Sequence, residues 1–260
     1  MRVLAIATTS CGASRVRVSE NGFPSFLPRE VEKIRDPSAR ELAKRIERIP
    51  VKVGFSETSI MSSYGSRCRR KAWSPLFFFM VLTEWRYTYP LLENAGLETW
   101  AVDVLGWGFS DLEPLPACSV DAKREHLYQL WRSYIDRPMV LVGPSLGAAV
   151  AIDFAANYPE AVTKLVLIDA SIYAKGTGNM STLPRVVAYT GVSLLKSIPL
   201  RLYANFLAFN KGSLNTFFDW TNRLHDELPN SILHIIPECG HIPHVENPKF
   251  VVESIVQFVT

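Results

Sequence analysis

The chain has 260 residues, a net charge of +3, 48% hydrophobic residues and 20% charged residues. This length suits one domain with a sizeable core, and the composition excludes a largely disordered chain. The small net charge does not favour nucleic-acid binding, and because no apolar stretch of about 18 residues is free of charge, no membrane span is predicted.

The N-terminal 50 residues differ from the rest. Residues 1–19 contain three arginines, five Ser or Thr and no acidic residue, which is typical of an organelle transit peptide. Residues 20–50 are predicted to be an N-terminal helical extension, with a surface helix that Asp36 caps, Pro37 opens and Glu47 ends. The alternation from Val51 to Ser63 indicates an early strand or hairpin. The basic cluster at residues 67–71 is interpreted as a solvated face rather than a nucleic-acid site.

Two predicted strands follow. The first is the apolar run SPLFFFMVL at residues 74–82, which leads almost directly into a helix, and the second spans Glu98 to Leu105. Gly106 and Gly108 come directly after the second strand, but Asp111 stands where a dinucleotide fingerprint needs its third glycine, so no nucleotide cofactor is predicted. Residues 120–135 form an amphipathic helix that leads back to the centre of the sheet.

The most informative stretch is RPMVLVGPSLGAAVAIDFAANYPEAVTKLVLIDAS at residues 137–171. It indicates a buried strand, a tight turn at Gly-Pro-Ser-Leu-Gly, a helix and a second strand. The two glycines flank Ser145 where a Cβ would clash across the turn. Because the helix begins directly after the serine, the backbone N–H of Leu146 is predicted to face negative charge that develops beside Ser145. Ser145 is therefore the candidate nucleophile.

The C-terminal part supplies the candidate general base. Residues 231–236 are predicted to form the last strand, and His241 lies in the loop after it, ahead of a helix at residues 248–259. His241 follows Ser145 in chain order, as a Ser…acid…His arrangement requires. His244 is assigned a structural role. The four cysteines lack C-x-x-C spacing, which disfavours a metal site and a disulfide scaffold and indicates a reducing compartment.

Three stretches appear in the order AVDVLGWGFSD, GPSLGAAVAIDFAANYPEAVTKLVLIDAS and IPECGHIPHVENP. Together they resemble the α/β-hydrolase superfamily and, within it, a plant, plastid-type branch. The resemblance covers roughly residues 72–260. It implies an α/β class fold: a mostly parallel central sheet with helices on both faces and a helical lid, in a truncated form. We therefore predict the hydrolase domain at residues 51–260.

The resemblance also implies a lid at about residues 172–220. Residues 172–218 hold five basic residues and no Asp or Glu, and much of the segment is apolar. An apolar, basic lid suits an acyl or isoprenoid substrate. The lid is interpreted as a cap packed on the domain, and peripheral contact with an anionic membrane is the alternative.

Two catalytic parts of the family pattern are missing. The family's strand corresponding to residues 74–82 ends in His-Gly, and the loop after it donates one N–H to the oxyanion hole, but this chain has no His-Gly there. The family's usual acid follows a further strand some 25 to 30 residues before the histidine, where this chain has neither strand nor acid. Asp169 at the end of KLVLID is the first candidate for the acid, Asp219 the second, and Asp226 and Glu227 are weaker candidates. A site with no acid at all is a further alternative.

These patterns leave three hypotheses for function. The first is a serine hydrolase that cleaves an ester or similar acyl bond of an apolar small molecule or lipid through Ser145, His241 and Asp169, without a cofactor or metal. The second is a catalytically impaired binding or interaction protein of the same fold. Non-hydrolytic chemistry is the third, since a fold does not fix a function. The transit-peptide composition and the resemblance together predict a chloroplast location, with the cytoplasm as the alternative.

Overall fold

The computed structural model describes residues 21–54, 60–65, 76–80, 82–103, 105–110, 119–170, 222, 224–228 and 230–260. Its centre is a six-stranded sheet in the order β1-β2-β4-β3-β5-β6. The first two strands form an antiparallel hairpin and β2 meets β4 antiparallel, whereas β4, β3, β5 and β6 run parallel. The predicted mostly parallel sheet is therefore confirmed. The strands are β1 (Ile46–Val51), β2 (Ile60–Gly65), β3 (Leu76–Met80), β4 (Thr99–Asp103), β5 (Met139–Pro144) and β6 (Val162–Ile168).

Helices cover both faces of this sheet. Buried residues of α1, α2 and α6 share one core cluster, and those of α3 and α4 share a second. Alternate residues of β5 enter the two clusters, Val140 and Val142 the first, Met139 and Leu141 the second. A strand buried on both faces reads as a continuous apolar run, as this one does. The α-helices that lie wholly within the described residues are α1 (Pro37–Lys44), α2 (Thr88–Asn94), α3 (Val120–Tyr134), α4 (Leu146–Asn157), α5 (Pro243–Glu246) and α6 (Pro248–Val259).

The segment predicted as an N-terminal extension belongs to the main core. Asp36 caps α1 as predicted, because its carboxylate accepts from the backbone N–H of Ser38 at 2.9 Å, but the helix ends at Lys44 rather than Glu47. Strand β1 begins at Ile46, so the predicted domain boundary after residue 50 falls inside a strand. Phe23 is 2% exposed and packs in the first core cluster with residues of α1 and α6. This segment and the sheet therefore bury one common core.

The C-terminal segment differs from the prediction in one element. Residues 231–236 form no strand of the sheet, although a strand was predicted there. Ile236 packs against the first core cluster, but Ile232 and Ile235 are 66% and 56% exposed. Helix α6 has the predicted bounds, and β6 is the last strand of the described sheet on that side.

Several predicted segments lie outside the described residues: the transit peptide at residues 1–19, the basic cluster at 67–71 and the lid at about 172–220. Among the helices of the described part, none combines the length and the apolar character that crossing a membrane requires.

Candidate active site

The turn that carries Ser145 connects β5 directly to α4. Strand β5 ends at Pro144, Ser145 has φ 47° and ψ −119°, and α4 begins at Leu146. A non-glycine residue in this region of backbone space is strained, and such strain concentrates at functional sites. The backbone N–H of Ser145 donates to the carbonyl oxygen of Ile168 at 2.9 Å, which fastens the turn to the neighbouring strand. The predicted strand-turn-helix context of the serine is present.

Gly143 is required by close packing across this turn. A Cβ built on Gly143 would lie 2.7 Å from the carbonyl oxygen of Gly147 and 2.9 Å from the Cβ of Ala151. Both neighbouring atoms belong to α4 and cannot move independently of it. The first glycine of the motif therefore sets how closely the helix approaches the strand, which fixes the position of Ser145.

Ser145, His241 and Asp169 meet at the carboxyl ends of β5 and β6. Nε2 of His241 lies 2.8 Å from Oγ of Ser145, and Nδ1 of His241 contacts the carboxylate of Asp169. An ionised carboxylate only accepts hydrogen bonds, so Nδ1–H donates to Asp169 and Nε2 is left to accept from the serine hydroxyl. The three candidate residues are thus hydrogen-bonded in series, although His241 is 96 residues from Ser145 and 72 from Asp169.

The register of two strands places Asp169 beside the serine. Pro144 pairs with Ile168, so the next residues, Ser145 and Asp169, leave adjacent parallel strands at the same level. Asp169 has φ 44°, and Asp is one of the few residues that tolerate this region. Among the other acids considered, Asp219 lies outside the described residues. Asp226 and Glu227 are exposed on a helical turn at residues 224–227.

The environment of His241 favours its protonated form. Its hydrogen bond with Asp169 raises the pKa of His241 above its ordinary value, and the negative charges of Asp169, Glu84 and Glu246 act in the same direction. Partial burial opposes this rise, because it disfavours the imidazolium. The imidazole is therefore arranged to accept a proton from Ser145 and to hold the resulting charge.

Comparison with known proteins identifies the family. A model of the alpha/beta hydrolase fold family matches residues 78–210. The alpha/beta hydrolase domain-containing protein VTE7 of Arabidopsis thaliana is 46% identical over 307 residues, which cover 95% of this chain and 93% of VTE7. The chain belongs to the α/β-hydrolase family. Because the alignment is longer than the chain's 260 residues, VTE7 has residues within the matched region that this chain lacks. This fits the truncated form predicted from the sequence.

Other relatives and solved structures agree with this assignment. A 2-hydroxy-6-oxononadienedioate/2-hydroxy-6-oxononatrienedioate hydrolase of Burkholderia vietnamiensis is 32% identical over 155 residues, 59% of this chain and 50% of that enzyme. A probable hydrolytic enzyme of Pseudomonas aeruginosa superposes with a TM-score of 0.67 at 13% identity, over 83% of this chain and 94% of that one. A thermophilic esterase of Thermogutta terrifontis gives 0.65 at 16% identity, over 82% and 97%. At these identities the two structures support the fold alone.

The backbone amides after β5 and after β3, the two places where hydrolases of this fold form an oxyanion hole, differ in their surroundings. Leu146 is the first residue of α4, where backbone N–H groups have no partner within the helix. On the other side, one residue separates β3 from a 3-10 helix at Leu82–Arg86. The backbone N–H of Leu82 donates to Oδ1 of Asp103 at 2.7 Å, so this amide is engaged by a buried carboxylate. The direct passage from strand to helix that the sequence predicted is present.

Gly108, in the loop after β4, makes room for the carboxylate of Asp103. Gly108 has φ 60°, and a Cβ built there would lie 2.2 Å from the carboxylate of Asp103. The backbone N–H of Phe109 donates to the other oxygen of this carboxylate at 2.9 Å. The G-x-G loop therefore encloses a carboxylate of the protein itself. Within the described residues, no group of three or more His, Cys, Asp or Glu side chains is arranged to hold a metal ion.

His244 lies in the core. It is fully buried and stacks on Trp85 with ring centroids 4.4 Å apart, and its carbonyl accepts from the hydroxyl of Thr88 at 2.6 Å. Its Nε2 lies 3.6 Å from Oε2 of Glu84. These contacts connect the loop of His241 to the residues after β3, which suits the structural role predicted for His244.

Sequence reasoning missed two acids near His241. Glu84 follows β3 and Glu246 ends α5, and both raise the pKa of His241. Glu246 could have been found from its position five residues after the histidine, since the next turn of a helix must lie close to the loop that opens it. Glu84 gave no such signal, because its approach depends on contacts between distant parts of the chain.

Proposed function

We propose that this protein is a serine hydrolase that cleaves an ester or similar acyl bond of an apolar small molecule or lipid. The observation that carries the proposal is the hydrogen-bonded series of Ser145, His241 and Asp169 at the carboxyl ends of β5 and β6. In open α/β sheets this edge is where ligands bind, close to the point where strand order reverses. Here β4 and β5 lie on opposite sides of β3, so the nucleophile follows a strand beside that point.

The proposed chemistry proceeds in two halves. Oγ of Ser145 attacks the acyl carbon while Nε2 of His241 takes its proton, and Asp169 stabilises the imidazolium. The imidazolium then gives this proton to the leaving alcohol, and the acyl group stays bound to Ser145 as an acyl-serine. Water then attacks the acyl carbon while His241 takes a proton from it, and the imidazolium returns this proton to Oγ of Ser145 as the acyl–oxygen bond breaks and the acid leaves. The N–H of Leu146 supports the oxyanion of each tetrahedral intermediate.

The substrate class rests on the composition of residues 172–218. This segment of five basic residues, no acids and long apolar runs suits an uncharged chain, either an acyl or an isoprenoid group. Peripheral contact of the same segment with an anionic membrane is the alternative. Hydrolysis of p-nitrophenyl esters of increasing chain length tests this preference, and a rise in kcat/KM from short to medium chains is the expected result.

A second candidate function is an impaired hydrolase that binds a ligand or a partner without turnover. The observation that favours it is the hydrogen bond from the backbone N–H of Leu82 to Asp103, because this amide, the first after β3 among the described residues, is engaged by a carboxylate rather than open to an oxyanion. Loss of one oxyanion donor costs on the order of 10²- to 10³-fold in rate. A hydrolase that lacks the second donor is therefore expected to be slow.

A fluorophosphonate probe and ester hydrolysis together separate the two functions. We expect the probe to label the wild type, and Ser145→Ala and His241→Ala to abolish both labelling and turnover. Circular dichroism of each variant controls for folding. A cooperatively folded wild type that neither reacts with the probe nor turns over any ester would refute the hydrolase proposal and favour the binding function.

We propose a chloroplast location for the protein, with the cytoplasm as the alternative. Its support is the composition of residues 1–19, rich in Arg, Ser and Thr and free of acids, together with the similarity to a plant protein. A fluorescent protein fused after the full chain in plant cells is expected to coincide with chlorophyll, and removal of residues 1–19 is expected to return it to the cytoplasm. Unchanged plastid fluorescence without those residues would contradict the role given to them.

A further inference from the structure

The loop that carries His241 is held to α5 by one side chain. Glu246 ends α5, and its Oε2 accepts a hydrogen bond of 2.8 Å from the backbone N–H of Gly240. Gly240 directly precedes His241 in the chain. The carboxylate therefore closes a ring of seven residues whose second member is the histidine, and it restrains the backbone from which the imidazole extends.

Close packing at Gly240 makes this contact specific. A Cβ built on Gly240 would lie 2.7 Å from Oε1 and 3.3 Å from Oε2 of Glu246. A residue larger than glycine would displace the carboxylate from the amide. Glycine at this position is thus explained by the approach of Glu246.

The imidazole needs such a restraint because it must satisfy two partners at once. Nδ1 faces Asp169 and Nε2 lies 2.8 Å from Oγ of Ser145, and both partners leave the ends of strands. The histidine, in contrast, follows residues 231–236, which are not part of the sheet. Among the described residues no pairing with a strand of the sheet holds this segment, and the contact from α5 restrains the chain directly before His241.

We infer that Glu246 is a positioning residue, whose carboxylate holds the Gly240 amide and thereby keeps His241 aligned between Asp169 and Ser145. The kinetic part of this inference rests on the proposed hydrolase function, but the structural part does not. Displacement of a reacting group by about 1 Å can cost on the order of 10²-fold in rate. Loss of this contact is therefore expected to lower kcat more than it raises KM.

The charge of Glu246 gives a second readout. Three carboxylates raise the pKa of His241, those of Asp169, Glu84 and Glu246. Removal of the Glu246 charge is expected to lower this pKa, so that the acidic limb of the rate profile moves to lower pH. A general loss of packing would lower the rate without moving the limb.

Substitutions at three positions separate these effects. Glu246→Ala removes both the hydrogen bond and the charge, whereas Glu246→Gln keeps an acceptor oxygen and removes the charge. Gly240→Ala breaks the contact from the other side. The matched control is Glu253→Ala, an exposed acid on α6 for which no role is proposed.

NMR signals of the Gly240 amide and the His241 imidazole report on the contact without any turnover. The chain has 14 glycines and five histidines, so spectra of protein labelled in only these residue types are simple. Gly240→Ala and His241→Ala assign the two signals by removing them. We expect the Gly240 amide to exchange slowly in the wild type and in Glu246→Gln, and quickly in Glu246→Ala. Both Glu246 variants are expected to lower the pH midpoint of the His241 signal.

Kinetics of ester hydrolysis complete the test. We expect kcat to fall about 10- to 100-fold in Glu246→Ala, to stay within a few-fold of wild type in Glu246→Gln, and to be unchanged in Glu253→Ala. The inference is overturned if Glu246→Ala keeps both the slow Gly240 exchange and the wild-type kcat. It is also overturned if Glu246→Gln loses as much activity as Glu246→Ala while Gly240 exchange stays slow. If the wild type hydrolyses no ester, the proposed function fails, and the two signals alone decide whether Glu246 holds the loop.

Discussion

Replacement of Asp169 by Asn tests the site most directly. Asn has nearly the shape of Asp and tolerates the positive φ of 44° at this position, so the backbone is expected to stay in place. Its amide can donate a hydrogen bond to Nδ1 of His241, which moves the imidazole proton to Nε2. Nε2 then cannot accept from Ser145, although it lies 2.8 Å from Oγ in the wild type.

The expected loss is large because the wrong tautomer disables the base entirely. A change of this kind lowers kcat on the order of 10⁴-fold, or about 5.5 kcal/mol in activation free energy. The pKa of His241 is also expected to fall, because its hydrogen bond with Asp169 is the largest cause of its rise. In Asp169→Asn, the acidic limb of any residual activity should therefore lie at lower pH than in the wild type.

The assay compares ester hydrolysis and the rate of fluorophosphonate labelling in wild type, Asp169→Asn and Asp219→Asn. Asp219→Asn serves as the matched control, since it makes the same chemical change at the other leading candidate acid. Denaturation curves must coincide for all three proteins. If Asp169→Asn keeps wild-type activity within a few-fold, or if Asp219→Asn suffers the loss instead, the assignment of Asp169 is refuted.

Three further predictions concern the pH dependence, the turn and α1. Since a raised pKa keeps His241 protonated to higher pH, kcat/KM is expected to rise with pH with a midpoint above 6.5, and a midpoint at or below that value would contradict this. Gly143→Ala is expected to destabilise the protein by about 1–3 kcal/mol in thermal unfolding, because the new Cβ would meet α4, and to slow labelling by the fluorophosphonate probe. An unchanged Tm would contradict the packing argument. Asp36→Ala is expected to cost about 1–2 kcal/mol in urea unfolding at pH 7 through loss of the α1 cap. The Tyr87 hydrogen bond and other contacts lower the pKa of Asp36 to about 2. The cost of Asp36→Ala should therefore be fully present above pH 3.8 and shrink as the pH falls toward 2. A cost that does not change with pH would show that the carboxylate charge contributes nothing.

The sequence predicted most elements whose signals are local. The cap and proline of α1, the turn around Ser145 and the whole of α6 depend on residues within a few positions of each other, and the structure has them where the patterns placed them. The predicted strand at residues 231–236 was wrong for the opposite reason. An apolar run becomes a strand only when a neighbouring strand accepts its hydrogen bonds, and within the described part of the chain these residues have no such neighbour.

The residues of the candidate site also differ in whether local sequence predicts them. Ser145 and His241 were singled out because a strained turn and a loop before a helix each require particular residue types at adjacent positions. From the sequence, the acid stayed open between Asp169, Asp219, the weaker candidates Asp226 and Glu227, and no acid at all, since the residues around an acid do not indicate which histidine it will face. The tertiary structure brings Asp169 to His241 through the pairing of Pro144 with Ile168, which places the ends of β5 and β6 at one level.

By itself, then, the sequence determined the fold class, the turn of the candidate nucleophile and the candidate base, because each is encoded by local chemistry and by periodic burial. Only the tertiary structure decided that Asp169 faces His241 and that Glu246 and Glu84 lie near it. It also decided that the N-terminal segment completes the main core. These contacts join residues far apart in the chain, and they exist only once the sheet has set its register and the helices have packed on its faces.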